Sequence, residues 1–254
     1  NAADVSQHQA YFNCLITPGC DVNVQFPGYT IPPGFLSWPG NGDVLAGQAP
    51  ILAPFIDADM DGMYEPSTGD APCVQGDQAL FFIFNDELNV HASGGLPIGL
   101  EVHAMPYAFF TSDPALAHTI FIKYRLINRG SHTLPSASVG LFTDFDLGNG
   151  NDDFVGCDPD RGLWYAYNGD ADDETTSDYA GYGLQPPAFG AVLLRGPLLD
   201  PNGMDDPDLA ELPSWNGTGF GDATPDNERH GLSRVRYFDN NGTVRGDPDN
   251  AVQY

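Results

Sequence analysis

The chain has 254 residues, with 35 Asp and Glu against 9 Lys and Arg, for a formal net charge of −26. The only lysine is Lys123 and the arginines are scattered, so there is no basic footprint for nucleic acid; no apolar run reaches 18 residues, so nothing inserts directly into a membrane. A hydrophobic content of 41% with 16 Phe and 11 Tyr excludes a disordered acidic tail, while 30 Gly and 22 Pro leave little room for long helices.

Residues 1–50, which include QFPGYTIPPGFLSWPGNGD, read as an irregular segment packing on the core, too rich in Pro and Gly for more than short extended pieces. From residue 51 to 254 the pattern is that of a β domain, read as part of a longer chain. QALFFIFND (78–86) is a β-rich run, and GLEVHAMPYAFFT (99–111) alternates, with Leu100, Val102 and Ala104 on one face. In HTIFIKYRLIN (118–128), Ile120, Ile122, Tyr124 and Leu126 oppose Phe121, Lys123, Arg125 and Ile127. SASVGLFTDFD (136–146), GLWYAYNGD (162–170), PAFGAVLLRGP (187–197) and LSRVRYFDN (232–240) supply further strands, and DDPDLAEL (205–212) is the one helix candidate. Short strands joined by Gly/Asp turns predict an all-β fold: an antiparallel β-sandwich, jelly-roll-like, with long acidic loops and little helix.

The acidic loops carry the chemistry. At −26 the chain repels itself unless counter-ions bind, which makes divalent cations the natural expectation. In DADMDGMYEPSTGD (57–70), Asp57, Asp59 and Asp61 alternate, Gly62 permits a sharp turn, the Met63 carbonyl follows and Glu65 comes next in reach. That is how a short loop offers oxygen ligands to Ca²⁺. Thr68 stands where an EF-hand places its bidentate Glu, and no flanking helices are expected, so Asp70 or Asp77 would close the shell. A second cluster, DFDLGNGNDDFVGCDPD, presents Asp144 and Asp146 off a strand end, with Asp152, Asp153 and Asp158 brought round by glycines. Each loop could also be no more than a solvated acidic turn. YNGDADDE, with Asp170, Asp172 and Asp173, and FDNNGTVRGDPD are weaker candidates.

Four cysteines, Cys14, Cys20, Cys73 and Cys157, include no C-x-x-C pair and no zinc spacing. Cys14 and Cys20 flank a turn that a disulfide could close, and Cys73 and Cys157 follow acidic loops that a second bridge could join; the sequence does not choose among the three pairings of four cysteines or between disulfides and free thiols. No H-E-x-x-H, G-x-S-x-G or phosphate loop is present, so no catalytic residue is named. Glu101 and His103 share a strand face, an arrangement open to a base or metal pair but read first as an ordinary cross-strand polar pair.

One resemblance rests on longer stretches. LAPFIDADMDGMYEPSTGDAPCVQGDQALFFIFND, GLPIGLEVHAMPYAF, HTIFIKYRLINRGSHTL, VGLFTDFDLGNGNDDFVGCDPDRGLWYAYNGDADD and YGLQPPAFGAVLLRGP together resemble a region of large secreted surface proteins of Bacteroidota. Those proteins usually end in a type IX secretion sorting domain. The likeness covers roughly residues 40–200 and implies export to the cell surface or medium, without implying a reaction. The expected function is an extracellular, calcium-stabilised structural or adhesive surface protein that assembles with copies of itself. The alternative is a carbohydrate-binding or polysaccharide-degrading module with structural calcium, partnered by surface glycans through Trp164, Tyr165 and Tyr167.

Overall fold

In the computed structural model, residues 1–87, 91, 94–135, 137–207 and 217–238 are described. The protein is built mostly from antiparallel strands with little helix. Contacts divide the chain into two compact units, Asn1–Pro135 and Ser136–Asp249.

The first unit opens on α1 (Ala2–Ile16), where an irregular segment was expected. Fifteen residues without Gly or Pro form it. Asn1 caps it by accepting from the Asp4 amide while the Asp4 carboxylate bonds back, and Thr17-Pro18-Gly19 stops it. A Cys14–Cys20 disulfide closes the turn that follows. The short helices α2 (Val22–Gln25) and α3 (Pro33–Leu36) come next. Val5 of α1 packs with Phe35 and Ala71 in a small core that Ile31, Ile56 and Val74 extend. His8, fully buried, bonds Tyr29 Oη at 2.5 Å and stands edge-on to Phe35.

Strands β1 (Phe55–Ile56) and β2 (Ala71–Pro72) pair antiparallel, and the loop between them is the first acidic loop. A larger sheet follows. β3 (Gln78–Ala79) and β4 (Phe82–Asn85) run along one side of β5 (Leu100–Ala108). After the single turn α4 (Pro114–Ala117), β6 (Phe121–Asn128) lies along the other side. The three longer predicted runs of this unit are thus one sheet, with Val102, Ala104 and Met105 of its central strand buried.

In the second unit, β7 (Asp153–Asp158), β8 (Leu163–Asn168) and β11 (Ala188–Val192) form a three-stranded antiparallel sheet with β8 central. A two-stranded pair, β9 (Asp172–Asp173) and β10 (Gly183–Leu184), lies between β8 and β11 in sequence. Two expectations change here. β7 was read as loop, and the alternating run within 137–146 forms no strand. That run meets the sheet through side chains instead: the Trp164 indole donates to Thr143 Oγ1 at 3.1 Å, and Phe145 stands on Phe189. Residues 232–238 are not in a strand, 205–207 are not helical, and 239–240 and 208–212 lie outside the described residues. The second bridge does not form, since Cys73 and Cys157 are free and exposed. Among the described residues, no helix is long and apolar enough to cross a membrane.

Candidate metal centre

The first acidic loop is held open by its own backbone and by residues beneath it. Asp57 Oδ2 accepts from the Gly62 amide at 2.9 Å, and Asp61 Oδ1 accepts from the Met63 amide at 2.8 Å. Met60 and Gly62 both have positive φ, 63° and 82°, and the chain doubles back between them. These turns bring Asp57, Asp59 and Asp61 together, with one carboxylate oxygen of each within 4.8 Å of the others. Asp59 and Asp61 are exposed, Asp57 is half-buried, and Asp57 Oδ1 is enclosed without a donor. Two unit charges at that distance repel by about 1 kcal/mol even in water. A bound cation reverses that repulsion.

Beneath the three aspartates the loop is anchored twice. Asp70 is fully buried; its Oδ1 accepts from the Ala58 amide and its Oδ2 from the Glu65 amide, both at 2.8 Å. Tyr64 exchanges hydrogen bonds with Asn41, N to Oδ1 and O from Nδ2, and its hydroxyl donates to the Phe35 carbonyl. Gly40 is required here, because a Cβ at that position would overlap the Tyr64 ring. Asp70 therefore ties the two limbs of the loop together beneath the aspartate cluster, and both of its oxygens are engaged. Glu65 and Met63 are exposed, with Glu65 contributing its amide to the Asp70 clamp. Asp77, the other candidate for closing the shell, accepts from the Phe110 amide at 2.8 Å.

The second loop has the same kind of anchor. Asp173, also fully buried, accepts from the Asn149 amide through Oδ1 at 3.0 Å and from the Tyr182 amide through Oδ2 at 2.7 Å. Gly148 has φ of 70° and passes so close that a Cβ would collide with that carboxylate. The predicted ligands of this loop separate. Asp144 is exposed, and Asp158 bonds the amide and guanidinium of Arg161, which holds its carboxyl below the usual range. Asp152 Oδ1 and both oxygens of Asp153 are enclosed without a hydrogen bond. Burial pushes the Asp153 carboxyl up; the nearby Leu147 amide opposes that without completing a bond, and Asp152, Asp173 and Asp146 push it further.

Sequence reading missed the anchors. Asp173 was grouped with its acidic neighbours as a weak ligand candidate, and a third anchor, Glu228, was not singled out. Glu228 is 1% exposed and accepts from the Asp206 amide at 2.8 Å, beneath the acidic stretch DPNGMDD (200–206). A visible signal was available: each anchor stands apart from the D-x-D or D-x-N run that it holds. Asp239, Asn241 and Asp247 of the weakest candidate loop lie outside the described residues.

Elsewhere, Glu101 Oε1 accepts from His103 Nε2 at 2.7 Å and from Arg129 Nη2 at 2.8 Å, and this pairing holds its carboxyl below the usual range. His103 is buried edge-on against Phe81. This is a polar tie between β5 and the end of β6, with no nucleophile among its partners. No family model, curated protein or solved structure matches the chain.

Proposed function

We propose that this chain is an extracellular structural or adhesive module whose acidic loops are stiffened by Ca²⁺. The observation that carries the reading is the convergence of Asp57, Asp59 and Asp61 at D-x-D-x-D-G spacing above a loop already fixed by Asp70 and Tyr64. An all-oxygen, carboxylate-rich loop suits Ca²⁺ better than Mg²⁺, which demands tighter octahedral geometry and keeps its waters. Millimolar calcium is found outside cells, and exposed three-carboxylate loops belong to that weak-affinity range. The type IX export suggested by the sequence resemblance agrees with this location.

Assembly with further copies is supported by an apolar face on the larger sheet. The register places Phe82, Phe84, Ile122, Tyr124 and Leu126 on one side of β4, β5 and β6, each 41–49% exposed. Patches of this kind on a highly charged protein mark contact surfaces. Limited proteolysis of the full chain in millimolar CaCl₂ and in EDTA tests the calcium reading. The expected result is protection of residues 57–70 by calcium only; equal cleavage in both solutions overturns it. Sedimentation of the wild type and of Tyr124→Glu tests assembly, with association expected only for the wild type.

A glycan-binding reading has one observation in its favour. Phe154, Tyr167 and Tyr165 form a ring-against-ring strip on one face of β7 and β8, with Phe154–Tyr167 stacked at 6.0 Å. Trp164 is not part of it, because strand alternation turns its indole to the opposite face. A glycan array binding the wild type and not Tyr167→Ala would favour this reading; an empty array would count against it.

A further inference from the structure

The second unit holds enclosed side-chain oxygen atoms that no donor among the described residues satisfies, and two of the residues that carry them face each other across a strand pair. The β7–β8 register sets Asp153 directly opposite Asn168, so both side chains stand on the same face of the sheet. That same face carries Trp164 and Phe189, which the segment from Thr143 onward crosses by the indole hydrogen bond and the Phe145 contact. The buried Leu147 and the exposed Asp146 of this segment come near enough to Asp153 to act on its carboxyl, and the Asp173 clamp on Asn149 fixes the loop there.

Asn168 is 7% exposed; its Nδ2 reaches the carbonyls of Asp170 and Asp172 at 3.4 and 3.3 Å, while its Oδ1 has no donor. Asp153 Oδ1, Asp153 Oδ2 and Asp152 Oδ1 are enclosed and equally without partners. These are four enclosed acceptors, three of them on the facing pair Asp153 and Asn168, with no hydrogen-bond donor supplied by the described residues. Among the described residues, none of these side chains takes part in an ion pair. A carboxylate whose oxygens are enclosed without donors is costly to keep charged, unless it coordinates a metal.

We infer that Asp153 and Asn168, with the neighbouring Asp152, form a second Ca²⁺ site, built by strand register rather than by a contiguous loop. The donors are all oxygen, two or three of them charged, with water completing the shell, which suits the large flexible sphere of Ca²⁺ and not the nitrogen or sulfur preference of Zn²⁺. Asp144 and Asp158 stand outside it. Asn168 enters it, and only the fold shows that. The site shares the calcium reading proposed above but uses none of the residues of loop 57–70, so the two are separable.

Calorimetric titration of the full chain with CaCl₂ tests it. Wild type is expected to bind two equivalents. Asp61→Asn should lose the site on loop 57–70 and keep this one, whereas Asp153→Asn should do the reverse. Asn168→Ala should weaken this site by about tenfold or more. Melting in EDTA guards against misfolding: Asp153→Asn, which removes a carboxylate whose oxygens have no donor, should melt at or above the wild-type temperature without calcium. Should Asp153→Asn not fold, Asn168→Ala alone decides, and unaltered calcium affinity in it overturns the inference. Two equivalents retained by Asp153→Asn also overturns it. A wild type with one equivalent, lost in Asp61→Asn, overturns this site and spares the first. No binding to either site overturns both.

Discussion

Loop 57–70 and loop 144–153 each close over a fully buried carboxylate that accepts two backbone amides, Asp70 in one case and Asp173 in the other. Above that shared anchor they diverge. In the first, alternate aspartates gather at the surface, where water screens most of their repulsion and two of their oxygens cap the loop's own amides. In the second, the carboxylates are spread over a loop and a strand, and Asp152 and Asp153 are enclosed with oxygens left unsatisfied. The first loop has a ready geometry and a small electrostatic debt; the second has the larger desolvation cost and depends on the fold for its geometry. Glu101 shows the third arrangement, an acid held by a protein cation, Arg129. Calcium should therefore matter most to the second unit.

The largest expected effect comes from the anchors. Asp70→Ala strips the Ala58 and Glu65 amides of their shared acceptor, at up to about 1–3 kcal/mol for each group left unsatisfied. Urea unfolding should show that loss, and Asp173→Ala should show a similar one. If either substitution is neutral, the anchors are not what holds the loops. Next in size is calcium removal. With an extracellular Kd near 10⁻⁴ M, millimolar calcium adds about 1.4 kcal/mol for each site. The share lost by Asp153→Asn should exceed that lost by Asp59→Asn, measured as the difference between melting in CaCl₂ and in EDTA. Equal shares would erase the contrast between the loops.

The smallest effect belongs to Glu101. Its carboxyl lies below the usual range because Arg129, and then His103, favour the charged form. The folded state thus holds on to the charge to lower pH than the unfolded chain does. The stability this contributes is complete above the ordinary carboxylate pKa of 4.5 and is lost as pH falls through the lowered folded value. Arg129→Gln should remove that acid-side slope, cost less than about 1 kcal/mol, and leave sensitivity to EDTA unchanged. An Arg129→Gln variant that becomes calcium-dependent would join Glu101 to the loops and blur the distinction drawn here.

How far the sequence could lead differs between the same two regions. In loop 57–70 the spacing of neighbouring residues determines the cluster, so Asp57, Asp59 and Asp61 were legible directly. Asp70 was legible as important but not in its role, because a ligand and an amide clamp differ only in which way the carboxylate faces. In loop 144–153 the residue types were read, but not that Asn168 stands opposite Asp153, which only the cross-strand register shows. Likewise the larger sheet was visible in its alternation, whereas residues 137–146 alternate and form no strand with the described residues. Helix α1 was hidden by the Pro- and Gly-rich stretch after it, although its Asn1/Asp4 cap and its Thr-Pro-Gly stop are local signals.

The central claim is that calcium holds these acidic loops in their folded form. Thermal unfolding of the full chain in millimolar CaCl₂ and again after EDTA tests it most directly. The account predicts a fall of several degrees on chelation, restored by excess calcium. Superimposable melting curves in the two solutions, with no calcium in the protein by elemental analysis, would contradict it.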